Sequence, residues 1–141
     1  MLRKSLVLAG FAVLIAGSAS AATEKFHATL SAGAEVPPTK STGSGEATAS
    51  LDTTTHELTY DVTFKGLSSE VTAAHIHGPA GPGKNAGVVV PLGTAPKSPI
   101  HGTAKLTPEQ ERDLSSGMLY VNVHSKNNPS GAVRGQLTAV K

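Results

Sequence analysis

Leu58-Thr59-Tyr60-Asp61-Val62-Thr63-Phe64 alternates apolar and polar residues without a break. A period of two marks a strand with one buried face. Leu58, Tyr60, Val62 and Phe64 take that face, and Thr59, Asp61 and Thr63 face solvent. Just upstream, residues 45–51 place Ala47, Ala49 and Leu51 on one side. Asp52-Thr53-Thr54-Thr55-His56 between them reads as a turn, so the pair is expected to form an antiparallel hairpin.

Working outward, Phe26-His27-Ala28-Thr29-Leu30 repeats the alternation, and Pro37-Pro38 marks residues 31–42 as a loop. Residues 71–77 are the next strand. Residues 78–87 are loop, being rich in Gly and Pro. Val88-Val89-Val90 reads as a short buried strand closed by Pro91, and residues 100–104 as another. Thr107 with Pro108 and Gln110 forms a capping box for one short helix, with Gly117 as its stop. Residues 119–124 and 132–140 are the last two strands, joined by a seven-residue loop. A faint echo between residues 45–62 and 102–123 suggests two similar halves. The expected fold is all-β: an antiparallel sandwich or barrel of about eight strands with one short helix.

Residues 1–22 are expected to be a secretory signal peptide. Arg3 and Lys4 precede an apolar run too short to span a bilayer, and small residues allow cleavage after Ala21 or Ala22. Residues 23–141 then form one domain in the periplasm or secreted. Arg3 and Lys4 leave with the leader and no acidic residue does, so twelve basic residues become ten, against ten acidic. That balance gives no support for nucleic acid or an anionic membrane as partner, and nothing past the leader is expected to span a membrane. The chain has no cysteine, and Met118 is its only methionine beyond the initiator. Thiolate chemistry and a Met-rich Cu(I) site are excluded.

Two strands carry the chemistry. In Ala73-Ala74-His75-Ile76-His77-Gly78, His75 and His77 share one face. In Leu119-Tyr120-Val121-Asn122-Val123-His124, Asn122 and His124 share one face while Val121 and Val123 turn inward. If the strands are neighbours, three imidazoles converge, and neutral imidazole is the commonest metal ligand. A symmetric last hairpin would pair His124 with Ala132 and Asn122 with Arg134. Glu35, on its Pro-flanked loop, is a candidate fourth ligand or partner for a His N–H. Asn122 and Arg134 would stand behind the ligands, Arg134 being neutralised by Glu35. The alternative reading is a metal-free polar network that fixes a loop over the sheet. His27, His56 and His101 read as surface residues, and Asp61 as solvated. The loop at 78–87 lacks the spacing of a phosphate-binding loop. No Ser-His-Asp set can be assembled, since Ser125 and His124 point to opposite faces.

Four segments in order resemble the CHRD domain, first named from chordin: Glu35-Val36-Pro37-Pro38, residues 73–80, residues 117–124, and Pro129-Ser130-Gly131-Ala132-Val133-Arg134-Gly135-Gln136-Leu137. The resemblance spans about residues 26–140. It departs at Ala132, where many members carry Glu. It implies a β-sandwich-like extracellular module without a settled activity; the expected sandwich or barrel is immunoglobulin-like or superoxide-dismutase-like.

Three functions follow as expectations. The first is an exported, non-catalytic binding module holding one Cu(II) or Zn(II) through His75, His77, His124 and Glu35. The second is a metal-free domain that binds another exported protein. The third is a copper-dependent redox enzyme, which would need more clustered His and Asp than the sequence supplies.

Overall fold

The Leu58–Phe64 alternation forms its hairpin as read. Strands β2 (Ser44–Asp52) and β3 (Glu57–Lys65) pair antiparallel along their whole length, from Ser44 opposite Lys65 to Asp52 opposite Glu57. The Asp52 carboxylate caps the turn by accepting from the backbone N–H groups of Thr54 and Thr55. This computed structural model describes residues 12–15, 17 and 22–141. Most of the expected leader, including Ala19–Ala21 at its cleavage sites, lies outside the described residues.

The remaining strands are β1 (Thr23–Ser31), β4 (Val71–His77), β5 (Val88–Thr94), β6 (Ile100–Lys105), β7 (Tyr120–Ser125), β8 (Asn128–Gln136) and β9 (Thr138–Ala139). They form one antiparallel sheet in the order β5-β4-β7-β8-β1-β2-β3-β6, with β9 beside β1. The sheet curls into a nearly closed barrel, the barrel form of the expected fold, with β5 and β6 as its two free edges. Inward positions of every long strand fill it: Phe26, Leu30, Leu51, Leu58, Val62, Ile76, Val121, Val123 and Val133 are buried. Each such side chain contributes about 1.5–3 kcal/mol on leaving water. Helix α1 (Pro108–Ser115) adds Leu114 to the core. The capping box forms in full, with Thr107 accepting from the Gln110 N–H and Gln110 from the Thr107 N–H. Among the described residues no helix is long and apolar enough to cross a membrane.

Five readings are corrected. Pro91 does not close β5 but sits within it, opposite His75. An edge strand tolerates a residue without an N–H because one side of its backbone has no partner. For the same reason Val88 is exposed rather than buried. The last hairpin has a tight turn at Lys126-Asn127, not a seven-residue loop, and its slack appears as an irregularity inside β8. Val123 faces Val133 and Ser125 faces Asn128, so His124 does not pair with Ala132, whereas Asn122 does face Arg134. The final strand breaks at Leu137, whose N–H goes to Leu119 O while the chain moves from β7 to β1. The suggested halves do not match in pairing either: β2 pairs β3, but β6 lies on β3 and β7 between β4 and β8.

Candidate metal centre

The pairing of β4 with β7 decides what meets on the outer face. His77 lies opposite Tyr120, His75 opposite Asn122, and Ala73 opposite His124. With Ala74, Ile76, Val121 and Val123 committed to the core, all the intervening side chains point outward. One ring nitrogen from each of His75, His77 and His124 lies within 4.8 Å of the others. The expected convergence of three imidazoles is therefore present. Ring centroids are 4.8 Å apart for His75 and His124, and 5.3 Å for His75 and His77.

Backbone carbonyls choose the tautomers. His77 Nδ1 donates to Ala86 O at 3.0 Å, and His124 Nδ1 donates to Pro129 O at 2.9 Å. A ring nitrogen committed to a carbonyl holds its proton, leaving the other with a lone pair. His124 Nε2 faces His75 Nδ1 at 3.0 Å. His77 Nε2 is buried and has no hydrogen-bond partner among the described residues. Metal–nitrogen bonds near 2.0–2.1 Å at tetrahedral angles place ligand nitrogens about 3.3 Å apart, close to the spacing of the His75–His124 pair, while the three nitrogens together lie within 4.8 Å. Burial, then the neighbouring imidazoles His124 and His77, pushes the pKa of His75 below its ordinary value. Burial also depresses that of His124, against the Pro129 carbonyl, which raises it. Both effects favour the neutral ring that binds metal.

Glu35 is brought elsewhere. It is 6% exposed, and its Oε1 accepts from Asn122 Nδ2 at 3.1 Å. It is not among the three clustered metal-capable side chains. The short 3-10 turn at Ala32–Ala34 and Pro37-Pro38 carry its loop over Asn122, to one side of the imidazoles. Burial raises its pKa above the ordinary carboxyl value, opposed by Asn122 and by the charge of Arg134. Gly131, at φ +134°, lets Glu35 and Asn122 approach. A Cβ there would lie 2.2 Å from Asn122 Nδ2 and 2.5 Å from Glu35 Oε1. Gly131→Ala is expected to cost about 2–4 kcal/mol, through a left-handed backbone plus a broken buried hydrogen bond. Chemical denaturation checks it, and a change under about 0.5 kcal/mol, the level of an ordinary surface substitution, contradicts this role.

Arg134 is 1% exposed and does not neutralise itself on Glu35 through a direct bond. Its guanidinium donates to Asn85 Oδ1, Gly81 O, Lys84 O and Gln136 Oε1, and so pins the 78–87 loop onto the barrel. It lies 3.4 Å from the Tyr120 ring centroid, and His77 stacks on the same ring at 5.1 Å. β7 runs between β4 and β8, so Tyr120 lies between the histidine and the cation. Tyr120, Ala86 and Pro129 were not singled out in the sequence. Parity alone would have found Tyr120, two residues before Asn122, but no local pattern reveals which carbonyl reaches a ring.

The other three histidines stand on the surface as expected, each beside a carboxylate: His27 with Glu46, His56 with Glu111 and His101 with Asp61. Asp61 is thus paired rather than merely solvated.

The model of the CHRD domain family matches residues 26–137. The chain belongs to the CHRD domain family. No solved structure matches it. All of the residues just described, from Glu35 to Gln136, fall inside the matched span, so the triad is set within the CHRD domain itself.

The titrations have opposite signs. His75 and His124 have lowered values, so their contribution is complete above the ordinary histidine value of 6.5 and is lost as pH falls below it. Glu35 has a raised value, so its contribution is complete below 4.5 and is lost as pH rises through the raised value. Glu35→Gln is therefore expected to compare more favourably with the unaltered CHRD domain at pH 7 than at pH 4. Melting curves of both proteins at the two pH values check this, and an unchanged or inverted difference contradicts it.

Proposed function

We propose that this CHRD domain is an exported binding module that holds one Cu(II) or Zn(II) ion through His75, His77 and His124. The observation that carries the reading is His77 Nε2, buried without a partner among the described residues, on a ring whose nitrogens cluster with those of His75 and His124. Burying a polar atom unsatisfied costs about 1–3 kcal/mol, and an ion at this position removes that cost. Imidazole ligands without thiolate suit Zn and Cu alike. The leader pattern of residues 1–22 supports export to the periplasm or beyond. Glu35 serves behind the centre, holding Asn122, rather than as a fourth ligand.

The second reading is a metal-free domain that binds another exported protein, its polar cluster being architectural. The bonds from Arg134 to the 78–87 loop favour it, since they order a surface without any ion. Calorimetric titration of metal-free protein with Cu(II) and with Zn(II) separates the two. One saturable equivalent is expected for at least one ion. No saturable binding of either ion leaves the second reading standing.

A further inference from the structure

Asn122 has an amide arranged differently from those around it. It is 3% exposed, and its Nδ2 is committed to Glu35. Its Oδ1 is buried and has no partner among the described residues. Only two such buried side-chain atoms occur among them, and the other is His77 Nε2. Both lie on the same outer face of adjoining strands. Across β4 and β7 the rows run His77–Tyr120, His75–Asn122 and Ala73–His124. The diagonal from His77 to His124 crosses the row of His75 and Asn122. The imidazole of His75 and the carboxamide of Asn122 therefore approach that diagonal from opposite sides. Directly opposed residues hold their Cβ atoms about 4.5–5.5 Å apart.

Three nitrogen donors leave a tetrahedral zinc or a tetragonal copper one ligand short. We infer that the centre keeps one exchangeable position occupied by water, and that Asn122 Oδ1 accepts a hydrogen from that water. The inference rests on the reading of the triad as a metal centre. Glu35 acts here as a positioning residue: by accepting from Nδ2 it turns the carbonyl oxygen of the amide toward the ion side. Gly131 keeps the approach of Glu35 open. The ligand class follows. A protic oxygen donor satisfies Oδ1, whereas an anion without a hydrogen, such as azide, meets its lone pair.

The test uses the full domain loaded with one equivalent of Cu(II). Its electron paramagnetic resonance spectrum is expected to show splitting from three nitrogens. In water enriched in magnetic oxygen the lines are expected to broaden. Asn122→Leu is expected to retain the nitrogen splitting and to bind azide roughly tenfold more tightly, the scale of one unfavourable polar contact removed. Where Leu disturbs folding, Asn122→Asp offers a carboxylate oxygen that ligates directly, and the water broadening is expected to vanish. Nitrogen splitting without water broadening in the unaltered protein overturns the inference and leaves the metal reading intact. Copper bound without imidazole splitting overturns both.

Discussion

The double substitution His75→Ala/His77→Ala is expected to weaken Cu(II) or Zn(II) binding by at least about 100-fold while the barrel stays folded. Loss of a group that merely orients a ligand costs 10–100-fold in affinity, and here two of three ligands go. Little stability should leave with them. Both side chains are on the outer face, and their removal opens no cavity in the core. The lost contacts are those of His75 to His124 and of His77 to Ala86 and the Tyr120 ring. A parallel His27→Ala/His101→Ala protein is the control, because those rings stand exposed beside carboxylates on β1 and β6, strands that carry none of the triad. Calorimetry on all three proteins reads the outcome. Full binding by the first variant, or equal loss in the control, excludes the triad as the site.

Replacing Arg134 by Leu is expected to cost about 3 kcal/mol. Hydrogen bonds to a charged group contribute roughly 1.5–3 kcal/mol each, and Arg134 makes four. The sum is not additive, because the freed acceptors of Gly81, Lys84 and Asn85 lie in a loop that water can reach. Removing the cation also takes away the opposing charge that helps Glu35 ionise. For a domain of this size the melting temperature should drop by roughly 10–15 °C. Arg134→Lys keeps the charge but not the planar fork, and should recover only part of that loss. A melting temperature within about 2 °C of the original for the Leu protein contradicts a clamp at this position. Proteolysis within residues 78–87 should accelerate in step with the loss.

The readable part of the design was periodic. Alternation placed Leu58, Tyr60, Val62, Ile76, Val121 and Val123 inside, and the same parity set three histidines outside on two strands. The capping box at Thr107 was equally local. What escaped depends on which backbone comes near which side chain. The irregularity in β8 that carries Pro129 O to His124 is invisible in residues 125–131, because slack in a hairpin can sit in the turn or in the strand. Pro91 misled because a proline stops a central strand but not an edge strand, and edge status is a property of the whole sheet. Glu35 reads as a fourth ligand or a partner for a His N–H, and its bond to Asn122 is not foreseen, since one carboxylate on a loop gives no sign of which polar neighbour it will face.

The barrel is left unstitched between β5 and β6, which are not hydrogen-bonded to one another. Fraying of such a seam begins at its hem, and β5 is fastened on one side only. His75 and His77 stand on β4, the next strand inward, while His124 stands on β7. An ion gripped by all three would rivet those two strands together one row in from the opening. Occupancy of the centre would then set how far the seam can unzip, and the domain's resistance to unfolding would track the supply of metal around it.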